Sequence, residues 1–304
     1  MTEHAAPSTR CGFVALVGAP NAGKSTLVNR LVGAKISIVT HKVQTTRSRV
    51  RGVVVDGDCQ IVFVDTPGIF TPKRRLERSM VAAAWSETKD ADEVVLIADA
   101  TRSGIDQDTR QIIDGLKARG RRAVLALNKV DKGKREVLLP LAAAFEAEGI
   151  FDRIFMISAL TGDGIEDLRR FLIARMPEGP WLFPADELSD LPARLLAAEV
   201  TREKLFLNLH EELPYSLTVE TDEWEDFDNG SVRIGQTITV LRDSHKAMCL
   251  GKGGHTIKAV REAAQADLGG ILGRKVHLFL TVKVRENWLE NRAHYQHWGL
   301  EFDV

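Results

Sequence analysis

Short apolar runs and longer amphipathic stretches alternate along the first 175 residues. The apolar runs have the length of buried strands and lie at 12–17, 50–55, 60–64, 94–98, 123–127 and 154–157. Stretches with helical periodicity lie between or after them, at 25–32, 75–89, 107–118, 137–148 and 165–175. The turn signal Asp56-Gly57-Asp58 predicts a hairpin between the second and third runs. Elsewhere strand and helix alternate, which predicts an α/β domain whose mainly parallel sheet is covered on both faces.

The pattern changes after Pro177-Glu178-Gly179-Pro180, where helical periodicity stops. Beyond this point the predicted helices are 193–213 and 256–267, and the predicted strands are 215–220, 232–241 and 276–284. This order predicts an α+β domain. We therefore divide the chain into an N-terminal tail (1–10), a first domain (11–177), a linker (178–192) and a second domain (193–304).

Composition narrows the class of protein. With 44% hydrophobic and 27% charged residues, the 304-residue chain is typical of globular proteins rather than disordered or fibrous ones. Three scattered cysteines, Cys11, Cys59 and Cys249, are too few for a disulfide framework or a cysteine metal site. No apolar run approaches the roughly 18 residues that a membrane span needs, and residues 1–10 lack a signal peptide's apolar core. We expect a soluble, cytoplasmic protein.

A phosphate-binding motif follows the first predicted strand. Gly18-Ala19-Pro20-Asn21-Ala22-Gly23-Lys24-Ser25 fits G-x-x-x-x-G-K-[ST] and precedes a predicted helix, as this motif requires. Its backbone N–H groups and the helix N-terminus attract phosphate; Lys24 is expected to reach the β and γ phosphates, and Ser25 to bind Mg²⁺. The predicted nucleotide contacts in this loop are Gly18, Asn21, Ala22, Gly23, Lys24, Ser25 and Thr26.

Further motifs at predicted strand ends identify the nucleotide. In Asp65-Thr66-Pro67-Gly68, the Asp65 carboxylate is placed for the Mg²⁺ shell and the Gly68 amide for the γ phosphate. In Asn128-Lys129-Val130-Asp131, the carboxylate can accept two hydrogen bonds from guanine, which adenine does not offer in that arrangement. Ser158-Ala159 resembles the segment whose backbone contacts guanine O6. Together these motifs predict a GTP site.

Hydrolysis needs a threonine on a mobile loop to complete the Mg²⁺ shell. The candidate segment is Gln44-Thr45-Thr46-Arg47-Ser48. Similarity to other GTPases favours Thr46, with Thr45 as the alternative. The predicted catalytic residues are Lys24, Thr46 and Gly68. Ile69 occupies the position where Ras-like enzymes carry a water-orienting glutamine, so we expect slow intrinsic turnover. We hypothesise that K⁺, with Asn21 as a ligand, assists as a second cation beside Mg²⁺.

Charge separates sharply within the second domain. Residues 186–228 hold 13 acidic and 3 basic residues, a net charge of −10, whereas 242–285 hold 9 basic and 3 acidic residues, a net charge of +6. The basic part contains a G-x-x-G loop before a predicted helix, as in KH domains that clamp single-stranded RNA. The predicted RNA-binding residues are Gly251, Lys252, Gly253, Gly254, Ile257 and Lys258.

With these motifs in order, the chain from about residue 12 to its end resembles the Era family of bacterial GTPases. The matching segments include GAPNAGKS, QTTRS, DTPG, NKVD, ELPY, LGKGGHTIKAV and VHLFLTVKVRENW. The resemblance implies an α/β P-loop GTPase (Ras-like) domain followed by an α+β KH (type II) RNA-binding domain. The related Der family is a poorer match, because it carries two GTPase domains and this chain has one set of motifs.

The resemblance also implies partners and a location. The partners are GTP and GDP, the 3′ region of 16S rRNA and the 30S ribosomal subunit, in whose assembly the protein would act. The implied location is the cytoplasm, with peripheral association at the cytoplasmic face of the inner membrane. Separately from the resemblance, we expect a monomer. One departure is Gly253-Gly254-His255, where a more basic stretch is expected, which affects the strength of the phosphate contacts.

Two other classes of function make different demands on the sequence. An RNA-modifying enzyme would need a second catalytic constellation, and the histidines and cysteines show no metal spacing. The alternative left open is a membrane- or protein-associated GTPase switch whose KH-like domain is not a sequence-specific RNA binder, since a basic loop also attracts anionic lipid.

Overall fold

The computed structural model describes residues 9–42, 45–47, 49–209 and 213–304. The chain divides into two compact units. The first comprises Met1–Ser37, Thr46–Asp190 and Trp298–Val304, and the second comprises Ile38–Thr45 and Leu191–His297. Parts of three predictions lie outside the described residues: residues 1–8 of the tail, Gln44 and Ser48 of the threonine motif, and residues 210–212 of the predicted helix 193–213.

The first unit is built on a six-stranded sheet. Its strands are β1 (Arg10–Gly18), β2 (Val50–Asp56), β3 (Cys59–Asp65), β4 (Glu93–Asp99), β5 (Ala123–Asn128) and β6 (Phe151–Met156). The order across the sheet is β2-β3-β1-β4-β5-β6, and only β2 runs antiparallel. The predicted hairpin is therefore confirmed as β2 and β3. Strand order reverses on either side of β1, and such a switch point places a crevice at the carboxyl ends of the strands.

Five helices accompany these strands in the described part of the first unit. They are α1 (Lys24–Val32), α2 (Arg75–Asp90), α3 (Gln107–Ala118), α4 (Arg135–Glu146) and α5 (Ile165–Arg175). Leu96 and Leu125 of the sheet and Ile113 of α3 are completely buried, as the continuous apolar runs of a doubly covered sheet predict. Asp106 ends the loop before α3 and its carboxylate accepts the Thr109 N–H, which explains where that helix begins.

The predicted linker 178–192 contacts the first unit as far as Asp190. Gln60 is completely buried in β3, where its side chain accepts the Leu182 and Phe183 N–H groups at 2.8 and 3.0 Å and donates to the Phe183 carbonyl at 2.8 Å. The Trp181 indole donates to the Asp58 carbonyl at 3.0 Å. A polar side chain inside an apolar run thus binds this segment to the sheet.

The second unit has a three-stranded sheet with the order β7-β8-β9. Its elements are α6 (Ala193–Asn208), β7 (Leu217–Asp226), β8 (Val232–Val240), α7 (Asp243–Leu250), α8 (His255–Leu272), β9 (Val276–Val284) and α9 (Arg292–His297). Strands β7 and β8 are antiparallel, whereas β8 and β9 are parallel. Leu205, Val260 and Ile238 bring α6, α8 and the sheet into one apolar core.

Two helices of this unit differ from the sequence prediction. The predicted helix 193–213 ends at Asn208, since Leu209 has extended backbone, so the prediction is too long. Leu209 and Leu213 continue the apolar spacing and are buried in the core, which explains the error. Helix α7 was not predicted, because eight residues are too few to display a helical repeat clearly.

Two short segments lie in a different unit from the one that the sequence prediction assigned to them. The last seven residues belong to the first unit, where the Arg75 guanidinium lies 4.3 Å from the Phe302 ring centroid and Arg78 Nε donates to the Val304 carbonyl at 3.1 Å. Residues 38–45 belong to the second unit, where Glu203 accepts the Val39 N–H at 2.8 Å. Within the described ranges, no helix combines the length and apolarity needed to cross a membrane.

Candidate nucleotide site

The carboxyl ends of four parallel strands bring the first unit's motifs together. The phosphate loop follows β1, Asp65 ends β3, Asn128 ends β5, and Ser158 lies two residues after the end of β6. Register aligns these ends, since Leu16 of β1 pairs with Asp65 and Asp99 of β4 pairs with Asn128. Side chains that are far apart in sequence therefore lie at one edge of the sheet, as the motifs predict.

The phosphate loop needs its glycines for physical reasons. Gly23 has φ +103°, a backbone conformation that L side chains rarely adopt, and it immediately precedes α1. A Cβ on Gly18 would lie 2.5 Å from the Ile97 carbonyl oxygen. The loop consequently passes close to β4 and presents the first N–H groups of α1, the arrangement that attracts phosphate.

Lys24 is buried at the base of this loop. Its Nζ donates to the Gly18 and Ala19 carbonyls at 3.0 and 2.9 Å, which accounts for two of the three donors of an ammonium group. Burial lowers the pKa of Lys24 to about 8, while the Asp65 carboxylate opposes that shift. The remaining donor is chemically suited to a phosphate oxygen.

Three oxygen-bearing side chains converge beside Lys24. Asp65 Oδ2 accepts the Ser25 hydroxyl at 2.8 Å and the Thr46 hydroxyl at 3.3 Å, and the two hydroxyl oxygens are 3.0 Å apart. Burial raises the pKa of Asp65, and hydrogen bonds from Ser37 and Ser25 oppose the shift. Asp65 Oδ1 is buried and has no hydrogen-bond partner among the residues that the structure describes. A compact set of hard oxygen donors with one unsatisfied carboxylate oxygen fits Mg²⁺.

Thr45, the alternative to Thr46, is engaged elsewhere. Its hydroxyl lies 2.7 Å from the Thr40 hydroxyl and donates to the Lys42 carbonyl at 2.7 Å. The structure thus brings Thr46, rather than Thr45, to Ser25 and Asp65.

The segment after Asp65 is held against the phosphate loop. The Thr66 hydroxyl donates to the Leu16 carbonyl at 2.7 Å, and the Ile69 N–H donates to the Gly18 carbonyl at 3.2 Å. Between them, a Cβ on Gly68 would lie 3.3 Å from Pro20. The Ile69 side chain is 3% exposed and packs in the apolar core of the sheet. It is therefore held away from solvent, in addition to lacking a hydrogen-bonding group.

The predicted base-recognition segments are braced against the same loop. Asn128 Nδ2 donates to the Ala22 carbonyl at 2.8 Å, and its Oδ1 accepts the Ala159 N–H at 2.9 Å. Lys129 Nζ donates to the Asn21 carbonyl and to Asp99, both at 2.7 Å. Asn128 and Lys129 thereby connect the base-recognition segments to the phosphate loop.

Asp131 is the exposed carboxylate of this group. Its Oδ1 accepts the Ser158 hydroxyl at 2.6 Å, which orients the carboxylate plane. The Ser158 oxygen also accepts the Thr161 N–H at 3.1 Å and so holds the turn that follows β6. The arrangement suits a base that presents two adjacent N–H donors.

Sequence reasoning missed residues that support this site. Ser37 donates to Asp65 Oδ2 at 2.7 Å, and Asp99 pairs with Lys129. Arg30 Nε donates to the Ala159 carbonyl at 3.3 Å. None of these belongs to a motif: Ser37 lies in a segment without apolar periodicity, and the other two read as helix-surface and strand-end polar residues.

The predicted RNA loop lies at the start of α8 in the second unit. Gly251, Gly253 and Gly254 all have positive φ, and a Cβ on Gly251 would lie 2.2 Å from the Thr256 hydroxyl oxygen. Lys252 and Lys258 are exposed. Ile257 is partly exposed and packs on the apolar core between α6 and the sheet. The loop thus combines a helix N-terminus, open backbone and two solvated cations, a combination that attracts phosphodiester oxygens.

Comparison with known proteins identifies both units. Residues 13–129 match the family model described as "50S ribosome-binding GTPase", and residues 212–289 match the model described as "KH domain". GTPase Era of Sinorhizobium medicae is 58% identical over 301 residues, covering 99% of this chain and 97% of that protein. GTPase Era of Dinoroseobacter shibae is 57% identical over 305 residues, covering 99% of this chain and 98% of that protein.

Solved structures show the same likeness along nearly the whole chain. A variant of Aquifex aeolicus Era bound to GDP and AlF₄⁻ matches with a TM-score of 0.90 and 37% identity, covering 97% of this chain and 100% of that one. Era in complex with MgGDPNP and nucleotides 1506–1542 of 16S ribosomal RNA matches with the same score, identity and coverage.

Proposed function

The chain belongs to the Era family of GTPases, and on that premise we propose that it uses GTP to control its binding to the 3′ region of 16S rRNA during assembly of the 30S subunit. Family membership makes the chain a GTPase with an N-terminal P-loop domain and a C-terminal KH domain. The observation that carries the RNA proposal is the loop of three positive-φ glycines and two exposed lysines at the start of α8.

The relative's complex favours the small subunit as the site of action. The family model that matches residues 13–129 carries the description "50S ribosome-binding GTPase". A relative with the same fold, however, is in complex with nucleotides 1506–1542 of 16S ribosomal RNA. The 16S RNA belongs to the small subunit. A KH loop in this chain gives the second unit the chemistry to bind such an RNA segment, so we assign the 30S subunit as partner.

In the nucleotide site, we assign the phosphates to Lys24, the phosphate-loop amides and the Gly68 amide. Ser25, Asp65 and Thr46 hold Mg²⁺, which a structural relative contains with GDPNP. Bound by these residues, Mg²⁺ would supply positive charge that neutralises the negative charge developing on the phosphates. Asp131 accepts the guanine N1–H and exocyclic amino group, one on each carboxylate oxygen, because the Ser158 hydroxyl occupies only one of the two acceptor sites of Oδ1.

Hydrolysis is expected to be slow without a partner, since the buried Ile69 provides no group to orient water. We assign that role to backbone groups and to K⁺ bound beside Asn21. Turnover should be faster in KCl than in NaCl of equal ionic strength, and Asn21→Ala should remove the difference. Equal rates of the wild type in both salts would refute the K⁺ assignment.

RNA affinity should depend on the nucleotide. The Thr46 hydroxyl reaches Ser25 and Asp65 through a loop that GTP orders and hydrolysis releases. If that ordering favours the RNA-binding form, RNA binds more tightly with GTP than with GDP, and by linkage RNA raises GTP affinity by the same factor.

The proposal is tested with a labelled RNA copying nucleotides 1506–1542 of 16S rRNA, titrated with the full chain in GDPNP and in GDP. Gly253→Asp places a negative charge in the loop at a φ that aspartate tolerates. Gly270→Asp is the charge-matched control, since Gly270 is an exposed position of α8 with open space around it. It lies 16 residues, or about 24 Å of helix, from Gly254.

We expect sequence-selective binding that is tighter with GDPNP, is lost in Gly253→Asp and is retained in Gly270→Asp. No selective binding with either nucleotide would refute the rRNA assignment and favour a protein partner. Binding to anionic vesicles that tracks lipid charge and vanishes with salt would instead favour a membrane surface. Equal RNA affinity in both nucleotide states would refute the coupling alone.

A further inference from the structure

Ser37 lies outside every nucleotide-binding motif, yet its hydroxyl makes the shortest of the three hydroxyl contacts described to Asp65. Its hydroxyl donates to Asp65 Oδ2 at 2.7 Å, compared with 2.8 Å for Ser25 and 3.3 Å for Thr46. Ser37 is 3% exposed, so water does not compete effectively for this bond. A neutral donor in a buried setting therefore holds one oxygen of the carboxylate assigned to the Mg²⁺ shell.

Asn29 fixes the backbone of Ser37 from helix α1. Asn29 Oδ1 accepts the Ile36 and Ser37 N–H groups at 3.0 and 2.9 Å, and its Nδ2 donates to the Ser37 carbonyl at 2.7 Å. Helix α1 begins at Lys24, directly after the phosphate loop. The Ser37 hydroxyl is thus positioned by the same helix that carries Lys24 and Ser25.

Ser37 lies at a break in the first unit. The first unit is interrupted after Ser37 and resumes at Thr46. The hydroxyls at both ends of the intervening segment, those of Ser37 and Thr46, meet the same atom, Asp65 Oδ2. The Ser37 contact to Asp65 does not depend on the position of Thr46, because Asn29 holds the Ser37 backbone separately.

We propose that Ser37 is a positioning residue for the Mg²⁺ site: held by Asn29, it fixes Asp65 Oδ2 so that the unpartnered Oδ1 is available to the metal shell. The inference rests on the proposed role of Asp65. Ser37 itself touches neither nucleotide nor metal in this assignment. Partners of this kind, one step removed from a metal, typically change metal affinity by 10- to 100-fold when they are removed.

The role of Ser37 predicts a different nucleotide dependence from that of Thr46. In this assignment Asp65 serves the metal whichever nucleotide is bound, whereas Thr46 would bind the metal only when the γ phosphate orders its loop. Removal of the Ser37 hydroxyl should therefore weaken Mg²⁺ binding with both GDP and GDPNP. Removal of the Thr46 hydroxyl should weaken it mainly with GDPNP.

The test is a Mg²⁺ titration of the full chain loaded with fluorescent GDP or GDPNP, using Ser37→Ala, Ser37→Thr and Thr46→Ala. Ser79→Ala is the matched control, because Ser79 is 1% exposed on α2 and its hydroxyl donates only to the Arg75 carbonyl at 3.2 Å among the contacts described. Thermal unfolding of each variant is measured alongside.

We expect Ser37→Ala to raise the half-saturating Mg²⁺ concentration about tenfold with both nucleotides, while Ser37→Thr and Ser79→Ala stay within twofold of wild type. An unchanged Mg²⁺ titration in Ser37→Ala would overturn the inference, and so would an increase matched by Ser79→Ala. If nucleotide binding by the wild type and by an Asp65→Asn variant were both independent of Mg²⁺, the assigned metal site itself would fail, which separates the two outcomes.

Discussion

Substitution of Gly23 by alanine tests how the phosphate loop is connected to the base-recognition strand. Gly23 has φ +103°, and a Cβ there would lie 2.2 Å from Asn128 Nδ2 and 3.5 Å from its Cγ. The new methyl group must therefore displace the Asn128 side chain. That side chain is 2% exposed and bonds to both Ala22 and Ala159.

The expected penalty has two parts. An L side chain in left-handed backbone costs about 1–2 kcal/mol. Displacing Asn128 breaks two buried hydrogen bonds that contribute about 1 kcal/mol each, and unsatisfied partners add to the loss. We expect Gly23→Ala to lower the free energy of unfolding by about 3–5 kcal/mol, of which about 2–3 kcal/mol comes from the collision with Asn128.

A double-mutant cycle separates these parts. In an Asn128→Ala background the Cβ no longer meets the Asn128 amide, so the penalty of Gly23→Ala should fall to the backbone part, about 1–2 kcal/mol. Gly33→Ala is the matched control, because Gly33 flanks the other end of α1 at φ +77° with open space around it. Urea unfolding of the nucleotide-free chain, followed by circular dichroism, measures each value. An equal penalty for Gly23→Ala in both backgrounds would refute the collision with Asn128.

Three further predictions concern single side chains. Asp131→Asn should shift specificity from guanine towards xanthine nucleotides, because an amide donor replaces one carboxylate acceptor; competition between GDP and XDP for the site measures the shift, and unchanged preference contradicts it. Burial lowers the pKa of Lys24 to about 8, so in the nucleotide-free site the Lys24 ammonium group loses its proton as pH rises through that value. GDP affinity should therefore fall between pH 7 and pH 9 in the wild type and stay level in Lys24→Met. Burial raises the pKa of the Cys249 thiol to about 11. Iodoacetamide at pH 8 should therefore leave Cys249 unmodified in the folded chain and alkylate it in urea, as measured by mass spectrometry. Rapid labelling of the folded chain would contradict the burial of Cys249.

The parts of the molecule that sequence could predict are those encoded over short stretches. The apolar runs predicted each strand of the first sheet, and 107–118 and 165–175 coincide with helices α3 and α5. The phosphate loop and the segments at Asp65 and Asn128 could be assigned roles because each carries its residue types at fixed local spacing. The family resemblance is confirmed by the relatives and by the solved Era structures.

Where the local pattern continued beyond an element, the prediction failed. Leu209 and Leu213 keep the apolar spacing of α6 after that helix has ended, because both side chains are buried in the core although Leu209 has extended backbone and Leu213 begins a separate short 3₁₀ helix. Apolar periodicity reports burial, and burial does not require that the backbone stay helical.

The support of the nucleotide site could be seen only in the tertiary structure. Ser37 and Asp65 are 28 residues apart, and their contact depends on how Asn29 holds the chain after α1. The two polar groups of Asn128 bind the Ala22 carbonyl and the Ala159 N–H, so this motif residue acts as a brace between distant segments. Sequence by itself determined which groups are assigned to the nucleotide and the metal, because those groups lie in short motifs. Which of them touch, and which are left with an unsatisfied oxygen such as Asp65 Oδ1, was decided by packing between elements far apart in the chain.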